Sequence, residues 1–226
     1  MKEEANNQQL ILDELKNASL PARDAQRYRH LDVRDNLSTV LDTQNYFYFI
    51  VDGKLKLSQI NFETSKEQTL YLLTRGDMLD IITLLDGKEH ELFGEVLEAT
   101  DLIEVPIDNV RYLLDKDPAF KELFFPYLAK QLRSMEDLAI DLSLYDVYER
   151  LVHMLLKFSR KEHDKETLEI IDNLSHEELA SMVGSVRKVV NRNLQRLKKE
   201  GIIDISRKQL KLESLQKLRD TLQDTP

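Results

Sequence analysis

The chain has 226 residues, is 42% hydrophobic and 32% charged, and carries a net charge of −9. That length supports one large or two modest domains, and no apolar run approaches the roughly 20 residues of a membrane-spanning helix. Cysteine is absent, which excludes disulfides, thiolate zinc sites, iron–sulfur clusters and cysteine nucleophiles.

The opening Met1-Lys2-Glu3-Glu4-Ala5-Asn6-Asn7 lacks the apolar core and cleavage site of a signal peptide, so a cytosolic (cytoplasmic) protein with no membrane partner is expected. Leu10, Ile11, Leu15 and Ala18 then share one face of a short helix that Pro21 interrupts. From about residue 29 to 108 the texture changes to short β-branched and aromatic runs: Ser38–Leu41, Tyr46–Val51, Lys54–Ile60, Thr69–Leu73, Ile81–Leu84, Leu92–Ala99 and Leu102–Pro106. Turn signals at Asp52-Gly53, Arg75-Gly76-Asp77 and Asp86-Gly87 separate several of them, a pattern that predicts an antiparallel sandwich or roll.

After Pro106 the periodicity is helical. Asp108–Lys116 reads as one helix, and a longer one follows Asp117-Pro118. Along it Phe125, Leu128, Leu132, Met135, Ala139 and Leu142 are spaced 3, 4, 3, 4 and 3 residues apart, a heptad seam that fits either packing on its own domain or pairing with a second copy. Pro126 is expected to bend the start of this helix or to sit in its first turn. Residues 147–160 form a further helix, and the charged stretch Arg160–Thr167 reads as a loop.

Charge is unevenly distributed. Residues 145–226 hold 16 Lys/Arg against 14 Asp/Glu, while residues 1–144 hold 16 against 27. Within Ser185–Lys211 nine basic residues face two acidic ones, so an acidic body carries a basic patch suited to a polyanion. Just before that patch, Ser175 is a good N-cap with Glu178 three residues on, completing a capping box. Leu179, Met182 and Val183 give the helix its apolar face. Gly184 stops it, and Ser185 can cap a second helix whose inner face is Val186, Val189, Val190, Asn193, Leu194 and Leu197. The outer face of that second helix begins with Arg187, Lys188, Asn191 and Arg192, side chains suited to base edges and phosphates. After Gly201, the runs Ile202-Ile203 and Leu210-Lys211-Leu212 flank Ser206-Arg207-Lys208-Gln209 as a basic hairpin. Two helices, a tight turn and a hairpin make a winged helix-turn-helix.

The stretch Leu179-Ala180-x-x-Val183-Gly184-Ser185-Val186-Arg187-Lys188-Val189-Val190-Asn191-Arg192-x-Leu194-x-x-Leu197-x-x-x-Gly201-Ile202-Ile203 resembles the DNA-binding signature of the CRP/FNR family of bacterial transcription regulators. Leu144-Tyr145-Asp146-Val147-Tyr148-Glu149-Arg150-Leu151 resembles the family's junction between dimer helix and DNA-binding domain. Phe49-Ile50-Val51-Asp52-Gly53-Lys54-Leu55 with Gly76-Asp77 resembles its β-roll sensor domain. The resemblance spans about residues 30–212, most closely from 144 onward. It implies an α+β chain: an antiparallel, jelly-roll-like β-roll over residues 1–116, a dimerisation helix over 117–144 and a winged helix-turn-helix over 145–226. It favours the homodimer reading of the seam. It also implies double-stranded DNA as partner, with RNA polymerase a second partner if the protein is an activator; activator or repressor is open. The DNA-contact candidates are Ser185, Arg187, Lys188, Asn191, Arg192, Arg196 and Lys208, with Arg187 and Arg192 the guanine readers by resemblance. Lys188 departs from the family, many of whose members carry Glu there.

The β-roll departs further. Cyclic-AMP-responsive members hold the ribose with a Glu shortly after the Gly-Asp pair and the phosphate with an Arg-Ser/Thr-Ala sequence. Here Ile81 falls where that Glu would be, no arginine occurs between Arg75 and Arg111, and the corresponding stretch reads His90-Glu91-Leu92-Phe93. A carboxylate there would repel a phosphate, so the effector is expected to be something other than a cyclic nucleotide and is otherwise unknown. No cofactor or metal is predicted. Haem stays open as an alternative, with His30, His90 and Met78 as candidate axial ligands. His153 is expected to be a packed core histidine, His163 a loop residue and His176 part of the first turn of the helix-turn-helix. The six glycines are too dispersed for a Walker or dinucleotide loop. The acidic pair Glu89/Glu91, flanked by Lys88 and His90, reads as a solvated edge, and no nucleophile set accompanies it, so an enzyme is not expected.

Overall fold

The computed structural model describes residues 9–15, 26–33, 35–91, 93–162, 165–168, 170–206 and 209–223. The chain forms two compact units, Met1–Gln59 with Leu70–Met135 and Ile60–Thr69 with Glu136–Pro226. The boundary passes through the long helix, and the second unit takes in the tip of a hairpin that begins in the first.

The first unit is built on an antiparallel sheet. Helix α1 (residues 9–15) is followed by β1 (Arg27–Leu31), α2 (Leu37–Val40), β2 (Tyr46–Asn61), β3 (Lys66–Thr74), β4 (Met78–Leu79), α3 (Ile81–Asp86), β5 (Phe93–Pro106) and α4 (Ile107–Lys116). The strand order is β1-β5-β2-β3, with β4 on β2. Side chains alternate across β2, and both faces are buried. Phe47 and Phe49 join Ile103, Val105, Ile11, Leu12, Leu15, Phe120, Phe124 and Tyr127 in one cluster. Tyr48 and Ile50 join Leu31, Leu55, Leu57, Leu79 and Leu102 in the other.

Several expected strands are different. Ser38–Leu41 falls on helix α2, which starts where the Asn36 side chain accepts a hydrogen bond from the Ser38 N–H. Ile81–Leu84 is the helix α3, started by Asp80, whose carboxylate accepts from the Thr83 N–H at 3.3 Å. In each case one Asx cap overrides a β-branched run. Asp52-Gly53 does not end a strand; β2 runs through it with irregular register against β5. Gly53 sits at φ +98°, where a Cβ would lie 2.5 Å from the Ala99 carbonyl oxygen, so only glycine permits this close pairing. Of the expected runs Leu92–Ala99 and Leu102–Pro106, residues 93–99 and 102–106 likewise fall on one strand, β5, and Leu92 lies outside the described residues. On α1 the buried residues are Ile11, Leu12 and Leu15, while Leu10 is exposed; Ala18 and Pro21 lie outside the described residues.

Helix α5 (Pro118–Leu144) is continuous for 27 residues. Asp117 caps it, accepting from the Ala119 and Phe120 N–H groups at 2.9 and 3.1 Å, and Pro118 occupies a first-turn position that needs no donor. Pro126 lies in the helix interior rather than in its first turn. Phe120, Phe124 and Tyr127 are its buried residues, one stripe of the first half.

The second unit comprises α6 (Val147–Phe158), β6 (Arg160–Glu162), β7 (Lys165–Thr167), α7 (His176–Met182), α8 (Arg187–Lys199), β8 (Ile203–Ser206), β9 (Gln209–Leu212) and α9 (Leu215–Gln223), with the C-terminal part of α5. Within the expected loop Arg160–Thr167, β6 and β7 pair antiparallel, Arg160 with Thr167 and Glu162 with Lys165, so its described residues are strand and not loop. Capping boxes at Asp146/Glu149 and Ser175/Glu178 start α6 and α7. Leu151, Leu155, Leu179, Val190, Leu194, Leu197, Ile203 and Leu218 are among the buried core residues. The hairpin tip contributes Thr69, whose hydroxyl lies 2.8 Å from that of buried Ser181 on α7, and Gln68, whose Nε2 donates to the Met182 carbonyl at 3.3 Å. No described helix is long and apolar enough to cross a membrane.

Candidate nucleic-acid interface

The two helices α7 and α8 are joined by Val183–Val186. Gly184 takes φ +62°, a conformation that favours glycine, and the side-chain ends of Leu142 and Gln68, 2.6 and 2.8 Å from where a Cβ would lie, would have to move aside for any other residue. Ser185 closes the turn with its backbone, its N–H donating to the Ala180 carbonyl at 2.9 Å. It is not the cap of the second helix. That position falls to Val186, which is extended, makes no side-chain cap bond and is 53% exposed rather than buried. The first N–H groups of α8 therefore have no side-chain cap, and such groups are good donors to an anion.

The helical repeat divides α8 cleanly. Val190, Asn193, Leu194 and Leu197 are buried. Lys188, Asn191, Arg192 and Gln195, at spacings of 3, 4 and 7 residues from Lys188, are exposed on the opposite face. Arg187 is exposed at the helix start, and its Nη1 donates to Glu177 Oε1 on α7 at 3.2 Å. Arg196 is also exposed but held: its Nε donates to Glu200 at 3.0 Å, and its guanidinium carbon stacks 4.1 Å over the Tyr148 ring of α6. That contact braces α8 against α6. Gln195 was not singled out from sequence, although its seven-residue spacing from Lys188 marks the same face. The wing is the β8–β9 hairpin, with Ser206 paired to Gln209; Lys208 lies outside the described residues.

On α5 the heptad residues form a largely exposed stripe in the single chain: Phe125 is 55% and Leu132 60% exposed, Ala139 and Leu142 are also exposed, and Leu128 and Met135 are half-buried. Four of these six heptad residues, Phe125, Leu132, Ala139 and Leu142, are left exposed, and with the half-buried Leu128 and Met135 they form an apolar stripe open to further packing.

In the first unit the effector candidates are dispersed. His30, on the exposed edge strand β1, has its Nδ1 2.6 Å from Asp101 of β5, and this hydrogen bond to a carboxylate raises its pKa. His90 Nδ1 lies 3.0 Å from the Asp80 carboxylate that caps α3. Met78 is buried in the core, its N–H donating to the Tyr127 hydroxyl at 2.9 Å. Ile81 is the first residue of α3 and packs into the core. His153 is not a core residue: it is half-buried, its Nδ1 2.7 Å from Asp141 and its ring edge-on to Tyr145. The hydrogen bond to the Asp141 carboxylate keeps the imidazole at the surface. His163 lies outside the described residues, and His176 is the first residue of α7. Among the described residues no group of three or more potential ligands is gathered for a metal ion.

Residues 149–221 match the family model of the Crp-like helix-turn-helix domain, and residues 35–117 that of the cyclic nucleotide-binding domain. A global nitrogen regulator of Nostoc is 29% identical over 175 residues, covering 75% of this chain and 77% of the relative. A cyclic AMP receptor protein of Thermus thermophilus is 29% identical over 163 residues, covering 72% of each. Among solved structures, a CooA mutant from Carboxydothermus hydrogenoformans superposes with a TM-score of 0.72 at 24% identity, covering 92% of this chain and 94% of that one. With an antiparallel sheet unit, a long helix and a helix-turn-helix in that order, and both family models matched in the same order, the chain belongs to the CRP/FNR family of DNA-binding transcription regulators.

Proposed function

We propose that the protein acts as a homodimer on a pseudo-palindromic promoter site and that its DNA affinity responds to a signal other than a cyclic nucleotide. The observation that carries the DNA reading is the exposed face of α8, where Lys188, Asn191 and Arg192 stand together beside a helix start without a side-chain cap. Arg forks suit guanine O6 and N7, an asparagine amide suits adenine, and free backbone N–H groups suit phosphate. The exposed stripe on α5 supports a second copy as the partner. RNA polymerase is a further partner if the protein activates transcription.

The case against a cyclic nucleotide rests on Ile81, which is committed to the core, and on the exposed carboxylates Glu89 and Glu91 in the stretch where the family's phosphate site would fall. A phosphate there would lack the charge-assisted bidentate partner that makes such sites strong. Calorimetry with cyclic AMP is expected to show no binding at micromolar concentration. Haem is the alternative effector group, but Met78 is core-packed and His30 lies on an exposed edge; only His90, oriented by Asp80, has a ligand-like environment. The absorbance spectrum of natively purified protein is therefore expected to show no Soret band.

A salt-dependent gel shift on genomic fragments tests the main reading. Specific retention of a fragment, weakening steeply with salt, is expected; no specific retention, with or without cell extract, would refute it.

A further inference from the structure

We infer that Glu177 is a positioning residue for base recognition: its carboxylate, on the first turn of α7, holds the Arg187 guanidinium so that the rest of the fork is presented to one guanine. The inference rests on the DNA-reading role proposed for α8 above.

Glu177 and Arg187 belong to different helices of the helix-turn-helix and meet at 3.2 Å, with their side chains 68% and 65% exposed. An ion pair that open to water contributes little to folding. On a surface that meets DNA, a carboxylate is also repelled by every phosphate, whatever the sequence. The helix dipole favours a carboxylate in the first turn of α7 with or without Arg187, so stability does not account for the pairing itself, and on this surface the carboxylate weakens non-specific binding. What it supplies is direction. An unrestrained arginine gives up considerable side-chain freedom on docking. When one N–H of Nη1 is already committed to Glu177, the guanidinium plane is set before DNA arrives, and the remaining N–H groups can meet O6 and N7 together. As DNA excludes water from the pair, the carboxylate's hold on the guanidinium strengthens.

Arg192 supplies the control on the same helix, since among the described residues no carboxylate pairs with it. Both effects of Glu177 act in one direction: affinity for unrelated DNA is lowered, and the preference at a single base pair is sharpened.

The test uses the full chain and the best duplex recovered by selection from random DNA. The base pair read by Arg187 is the one whose preference Arg187→Ala erases, and Arg192→Ala identifies the second in the same way. Glu177→Gln is expected to cut discrimination at the Arg187 base pair about five- to tenfold, to leave the Arg192 base pair unchanged and to strengthen binding to unrelated duplex. Glu177→Asp should restore part of the discrimination, and in an Arg187→Ala background Glu177→Gln should change discrimination nowhere. Unchanged discrimination at the Arg187 base pair, or equal losses at both base pairs, would overturn the assignment while leaving DNA reading by α8 intact. If the parent protein selects no sequence at all, base reading itself fails and this inference with it.

Discussion

The two units treat charge in opposite ways. In the sheet unit a few charged groups are turned inward and neutralised: Glu104 is 1% exposed and accepts from Arg29, and the ammonium groups of buried Lys54 and Lys56 lie 2.7 Å from Glu98 and Glu95. On α8 the polar side chains are turned outward, and the inward face is nearly all aliphatic. The inward charges of the first region therefore serve the fold, while Lys188 and Arg192 on α8 stay open to a partner. This explains how a chain of net charge −9 presents a surface for a polyanion: local display decides, not the total. It also predicts that removing an inward charge costs stability and that removing an outward one costs only recognition.

The largest effect is expected at the apolar α5 stripe proposed to meet a second copy. Leu132→Glu places a charge in the α5 seam and should cost the dimer several kcal/mol. Because Leu132 is largely exposed in the single chain, the protomer should stay folded, so sedimentation should show folded monomers that have lost specific DNA binding. A variant that stays dimeric at micromolar concentration would place the seam elsewhere.

Next comes the inward charge. Glu104→Ala strands Arg29 and should cost about 2–3 kcal/mol, less than a fully buried pair because Arg29 is partly solvated. Thermal unfolding should shift downward, while the selected DNA motif stays the same. Arg187→Ala is the converse: about 1–3 kcal/mol of affinity and one relaxed base pair, with an unfolding curve within about 0.5 kcal/mol of the parent.

The smallest effect concerns Asp77, whose carboxyl is pushed up by burial against the opposing bond from the Thr74 N–H at 2.8 Å. The native chain then keeps a proton that the unfolded chain has released. This group's contribution therefore favours the fold at low pH and is lost as pH rises from the ordinary carboxylate value towards the raised one. Stability measured against pH should fall across that window by at most about 1.4 kcal/mol per pH unit, and Asp77→Asn should flatten the slope.

The same division decides what could be read from sequence. The helix-turn-helix is encoded locally: Ser175 and Glu178 form the expected capping box, Gly184 takes the left-handed turn, and the outward set of α8 follows from its spacing. The sheet unit depends on partners far along the chain. Gly53 reads as a turn, yet Ala99 and Thr100 hold it inside a strand. Ile81-Ile82-Thr83 reads as a strand, yet Asp80 starts a helix there from a left-handed conformation that few non-glycine residues adopt. β1, Arg27–Leu31, shows little pattern because only Leu31 is buried. The Glu177–Arg187 pair joins residues ten apart across a turn, and only the packing of α7 on α8 brings them together.

Selection of binding sites from random duplex DNA with the full chain tests the central claim most directly. Two copies related by a two-fold axis, each presenting α8, should recover an inverted repeat whose half-site centres lie about one helical turn, ~34 Å, apart. Lys188 can donate but not accept, so the half-site should prefer guanine or lose preference where relatives with Glu read cytosine, and Lys188→Glu should change that base pair. A recovered motif without two-fold symmetry, or no enrichment at all, would contradict the account.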